Sequence, residues 1–211
     1  MQGKLHRPFP RRETETIINP IDMDRAQESI KEIRKEFFAF RNGIVADKLR
    51  KAGDPHSIIM GCLLVDIQGI ASRFRESIND NEQIASVASE LWSDTNSREC
   101  RLAAPMLYPA ESMTPDLALR WCESVETTEV ADNLCHKLLR HLDFADALFR
   151  QLITQDQPLI KYTGYRLLLN LIVMGKIQLN DSLRAIVEHE ANQTAQGPIA
   201  PLLKDILEDE N

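Results

Sequence analysis

The chain has 211 residues, of which 43% are hydrophobic and 27% charged, and its formal net charge is −7. That is enough apolar mass for one core or a continuous repeat array. The acid excess argues against indiscriminate attraction to nucleic acid. Eight glycines are too few for a β fold rich in tight turns. Cys62, Cys100, Cys122 and Cys135 form no CxxC pair, so buried thiols are expected rather than a disulfide framework or a zinc site. No apolar run reaches membrane-spanning length; the richest, 167–174, is interrupted by Asn170. Met1 to Arg12 is basic and broken by proline without an apolar stretch, unlike a signal peptide, so the expected compartment is the cytoplasm.

In chain order, residues 1–22 read as a mobile N-terminal arm and 23–211 as a single helical-repeat domain. Helices are expected near 23–41, 43–51, 55–78, 82–94 and 97–107. Others follow near 115–124, 128–142, 144–155, 158–174, 180–192 and 199–208. Asp54-Pro55, Thr114-Pro115 and Gln157-Pro158 each place proline at a first helical position. Asn96-Ser97-Arg98-Glu99 reads as a capping box, with Glu99 reaching back to the Asn96 amide. Short loops make consecutive helices antiparallel neighbours.

A repeat of roughly thirty residues underlies this order. Leu91-Trp92, Arg120-Trp121 and Leu152-Ile153 each end a first helix, and Ala103, Ala131 and Gly164 sit inside the second helices that follow. Small residues there allow close helix approach, and Trp92 and Trp121 are expected in the core between repeats. A helical hairpin of this size cannot bury its apolar face alone, so the units must stack. The fold class expected is all-α, a HEAT-like α-α superhelix.

Charge is uneven along the chain. From Asp181 onward seven acids face Arg184 and Lys204, whereas 158–180 carries Lys161, Arg166 and Lys176 and no acid. On the helix from Thr128, the residues Ala131, Leu134, Cys135, Leu138 and Leu142 make an apolar stripe. Asp132, His136 and Arg140 make a polar line on another face. That line is either a solvated face with helical charge pairs or a carboxylate on a groove wall with bases beside it. On the next long helix Lys161 and Tyr165, and Tyr162 and Arg166, are each one turn apart. Interleaved cations and aromatics suit phosphates and sugars, or else the rings are half-buried and the cations snorkel. No metal-ligand spacing, phosphate-cradling glycine loop or nucleophile–base pair is present in these helices.

Arg41-Asn42-Gly43-Ile44 with Ala46-Asp47, Gly61, Ala88-Ser89-Glu90-Leu91-Trp92 and Arg98-Glu99-Cys100-Arg101-Leu102-Ala103 together resemble the HEAT-like DNA alkylation-repair proteins. These are the alkylpurine DNA glycosylases of the AlkD group, and the resemblance covers roughly residues 40–175. It implies a concave basic groove that holds duplex DNA by its backbone without flipping the damaged base. A carboxylate and aromatic side chains then stabilise the cationic sugar as the glycosidic bond breaks. The resemblance places Asp132 at the catalytic carboxylate. Thr128 stands where the family has tryptophan, and Leu159-Ile160-Lys161-Tyr162 stands where it has Trp-x-Arg-Arg. Its final repeat, with a further tryptophan and arginine, has no counterpart here.

Two functions follow as expectations. One is a DNA-binding protein related to alkylation repair, its glycosylase activity weak or lost. Arg140, Lys161, Tyr162, Tyr165 and Arg166 would then lie on DNA, with Asp132 as the remaining catalytic acid. The other is a non-catalytic scaffold for a protein partner, which Thr128 and the acidic C-terminus favour. Neither calls for a cofactor, a metal or a membrane.

Overall fold

The computed structural model describes residues 20–208. The arm expected over 1–22 lies outside the described residues except for 20–22, which already belong to the first helix. Eleven α-helices and two short 3-10 turns make up the described secondary structure, with no sheet among the described residues. In chain order the helices are α1 (Pro20–Ala39), α2 (Gly43–Lys51), α3 (Leu64–Ser77), α4 (Asn81–Ser93), α5 (Arg98–Leu107) and α6 (Pro115–Glu123). Then come α7 (Thr128–Lys137), α8 (Ala145–Ile153), α9 (Pro158–Val173), α10 (Asp181–Gln193) and α11 (Ile199–Glu208).

Two layers result. In one, α3, α5, α7, α9 and α11 pack side by side as a continuous row. Behind that row α1 lies on α3 and α4, while α4 pairs with α5, α8 with α9 and α10 with α11. This is an all-α solenoid of paired helices, as the repeat predicts. One core cluster runs through it from Ala26 to Ile206. Among the described residues no helix is long and apolar enough to cross a membrane.

Local signals placed most helix starts correctly. Thr114 Oγ1 accepts the Leu117 amide at 3.3 Å, and proline opens α6 and α9. Trp92 and Trp121 are 5% and 3% exposed, and their rings stack 4.3 Å apart. This stack joins α4 to α6 between successive repeats, as expected. All four cysteines are buried and free. The small residues also act as expected: a Cβ on Gly164 would meet the Ile153 backbone nitrogen at 2.9 Å, so α9 lies directly against α8.

Three expectations are corrected. Residues 55–63 are not helical, because their backbone is claimed elsewhere: the Ile58 amide donates to Asn96 O, and the Arg98 amide donates to Ile58 O. Gly61 has φ of 78°, and a Cβ there would fall 2.2 Å from Asn42 O, so only glycine fits. Second, Ser97 rather than Asn96 caps α5, accepting the Cys100 amide. The Glu99 carboxylate instead accepts the amides of Met60, Gly61 and Cys62, at 3.1, 3.0 and 3.3 Å. Third, the helix expected to run to 142 ends at Lys137, and Leu139–His141 tightens into a 3-10 turn.

A buried ionic network then fixes the row. Arg98 donates to Glu99 at 3.0 Å and clasps Glu129 of α7 with two nitrogens. Arg101 donates to Trp92 O at 2.6 Å and to Glu126, while its guanidinium lies 3.6 Å over the Trp92 ring. Burying these charges is tolerable only because each is paired and hydrogen-bonded.

Candidate functional site

α5 is recessed: every residue from Arg98 to Leu107 is buried. Its neighbours α3 and α7 meet in front of it, where Lys137 donates to Gln68 at 2.8 Å. The space beneath is a cleft of about 360 Å³, lined by Gln68, Ser72, Arg75 and Glu76 of α3, Met106 of α5 and Lys137. The helical row therefore presents a hollow, with α7 on one wall.

Helical phase then distributes the residues of α7. Asn133 turns inward and donates to Leu102 O of α5 at 2.7 Å. Asp132 points one step around toward α9, where its Oδ1 accepts the Tyr162 hydroxyl at 2.7 Å. Arg166 Nε lies 3.2 Å from the same oxygen, at ion-pair distance without hydrogen-bond alignment. Asp132 keeps 41% of its side chain exposed and Arg166 keeps 28%. Burial, then the bond to Asp132, pushes the Tyr162 hydroxyl well above its usual range, so it stays protonated and donates. Such a fixed carboxylate with one oxygen unclaimed can stabilise positive charge developing nearby.

His136, exposed one turn after Asp132, continues the polar line. Arg140 rejoins it from the 3-10 turn, its Nη1 3.0 Å from His136 Nδ1 and its Nε donating to His141 Nε2 at 3.2 Å. Lys176 donates to the Arg140 carbonyl at 2.8 Å. The hollow, the carboxylate and these bases are thus contiguous.

The other expected site residues lie apart from this face. Lys161 is ion-paired with Glu190 of α10 at 3.2 Å, on the side of α9 turned away from α7. Tyr165 is 1% exposed and lies in the core. Spacing along the sequence does not mark Lys137, His141 or Lys176 as part of this site; the break in helix at Leu138 is what brings His141 and Lys176 to Arg140. Around Leu159 lies a cleft of about 550 Å³. Leu159, Ile160, Val125, Pro158, Gln155, Gln157 and Glu123 line it, with no aromatic ring or cation among them.

A family model described as DNA alkylation repair enzyme matches residues 33–196. No curated protein and no solved structure matches the chain. The matched region covers most of the chain and holds α2 to α10, including Asp132 and the residues around it. By that match, the chain belongs to the DNA alkylation repair enzyme family.

Proposed function

We propose that this protein holds duplex DNA along the face of α3, α7 and α9, as a relative of alkylation-repair enzymes whose base excision is weak or lost. The observation that supports this most is the Asp132–Tyr162–Arg166 group, set beside Arg140, Lys137 and Lys176 in a chain whose net charge is −7. A strongly acidic protein that gathers cations on one hollow face has built a local field for a polyanion. Family membership supports DNA as that polyanion. Contacts of this kind go to phosphates and carry no sequence information.

Fluorescence anisotropy with an unmodified duplex tests the reading. Binding should be weak, indifferent to sequence, and steeply weakened by salt. Reversing charge at Arg140 and Lys137 together should lower affinity by about ten- to a hundredfold and flatten the salt slope by roughly two. Lys161→Glu, whose partner is Glu190, should change binding far less. Absence of binding at low salt, or binding indifferent to the double reversal, would favour a protein-interaction scaffold instead.

A further inference from the structure

About half of the cations among the described residues are matched by a carboxylate. Arg34 pairs with Asp94, Arg50 with Asp47, Arg73 with Glu36, Arg150 with Asp146, Lys161 with Glu190 and Arg166 with Asp132. Around the 3-10 turn after α7, three cations lie together without a carboxylate partner. Lys137 rests on the Gln68 amide, Lys176 on a backbone carbonyl, and Arg140 on two imidazoles. Among the described residues none of these cations makes an ion pair. Each donates to a neutral acceptor.

The imidazoles fix their own state. A guanidinium has only donors, so His136 Nδ1 and His141 Nε2 must both offer lone pairs, and both rings are neutral while they hold Arg140. Burial, and then the nearby cations, depress both rings below the usual histidine range. For His136 those groups are Arg140, Lys137, Arg166 and the neighbouring His141; for His141 they are Arg140 and Lys176. Asp132, one turn before His136, is engaged by Tyr162 and Arg166. Arg75 and Glu76 face Lys137 across the cleft.

We infer that Arg140, His136, His141 and Lys176 form a proton-linked phosphate clamp, closing on a backbone phosphodiester of bound nucleic acid. This rests on the DNA-holding function proposed above and adds its regulation. An arriving oxyanion takes the guanidinium from the imidazoles. It also cancels the surrounding positive field, and each freed ring can then bind a proton and donate a hydrogen bond to the anion. Phosphate binding and proton uptake are therefore coupled: whichever comes first favours the other.

The test has two arms. In the first, duplex affinity is measured at constant ionic strength from about pH 8 down to about pH 5.5, the span of histidine titration. Affinity should rise as pH falls, by up to about tenfold per unit for each proton taken up. H136Q/H141Q should flatten that rise while retaining the salt dependence contributed by Arg140, Lys137 and Lys176. In the second, NMR follows the imidazole titrations of His136 and His141 alone, with inorganic phosphate, and with duplex. Both ligands should shift the two titrations upward. A pH profile identical in the wild type and the double variant overturns the clamp. So do imidazole titrations that neither phosphate nor duplex moves. If duplex never binds but phosphate still shifts both rings, the clamp stands as an anion site and the DNA reading falls.

Discussion

Replacing Glu99 with alanine is expected to destabilise the protein by about 3–5 kcal/mol, the usual cost of stripping one partner from a buried ion pair. Glu99 is fully buried, and its carboxylate holds three consecutive amides, those of Met60, Gly61 and Cys62, together with Arg98. Alanine would leave those amides unsatisfied, at about 1–3 kcal/mol for each that water cannot reach. It would also leave Arg98 short of half its compensation. Relaxation of the loop would recover part of this, so the ion-pair figure is the better guide. Total stability of ordinary domains is about 5–15 kcal/mol, so the loss is a large fraction of what exists. Because Arg98 also grips Glu129 of α7, the change should loosen the α5–α7 contact behind the hollow. Denaturant unfolding checks it. A loss under about 1 kcal/mol would mean that the network contributes little.

The second large effect concerns chemistry. Release of 7-methylguanine or 3-methyladenine from methylated duplex should be absent, or so slow that Asp132→Asn removes what remains. The carboxylate that would stabilise a cationic sugar is present and accessible, but its supports are missing. Thr128 offers no flat surface, and Leu159 neither stacks nor binds phosphate. Tyr162 cannot substitute, because its ring is 6% exposed and its hydroxyl is committed to Asp132. A lost positioning contact can cost about a hundredfold with the catalytic group intact, and here several are lost together. Robust release that Asp132→Asn abolishes would contradict this expectation. It would mean that another group, such as Arg166, holds the lesion against the carboxylate.

What could be read from sequence was whatever is decided within a few residues. Thr114-Pro115 starts a helix because the cap and the proline act within its first turn. The stripe of Ala131, Leu134, Cys135 and Leu138 follows from helical period alone, and all four are buried. The segment 55–63 was misread because its conformation is set from a distance. Asp54-Pro55 has the local form of a helix start, yet Glu99 and Asn96 capture the amides that a helix would have used. Nothing local reveals that the Arg-Glu-x-Arg run of charge is wholly buried, as Arg98, Glu99 and Arg101 are. At the site, Asp132, His136 and Arg140 were legible as a line because spacing fixed them. Tyr162 and Arg166 were legible as a pair for the same reason. That the pair grips Asp132, and that Tyr165 turns inward, depends on how α9 is rotated against α7. The helix break at Leu138 gathers His141 and Lys176 around Arg140, and no periodic pattern could show it.

The face of α3, α7 and α9 is the one proposed to hold duplex DNA. Backbone amide hydrogen exchange, with and without an unmodified duplex at low salt, tests it most directly. Added protection is predicted around Asp132 to His141, at Arg166 and Lys176, and along Gln68 to Glu76, with α4, α8 and α10 unchanged. Protection confined to α4, α8 and α10, or none at duplex concentrations that saturate binding, would contradict it.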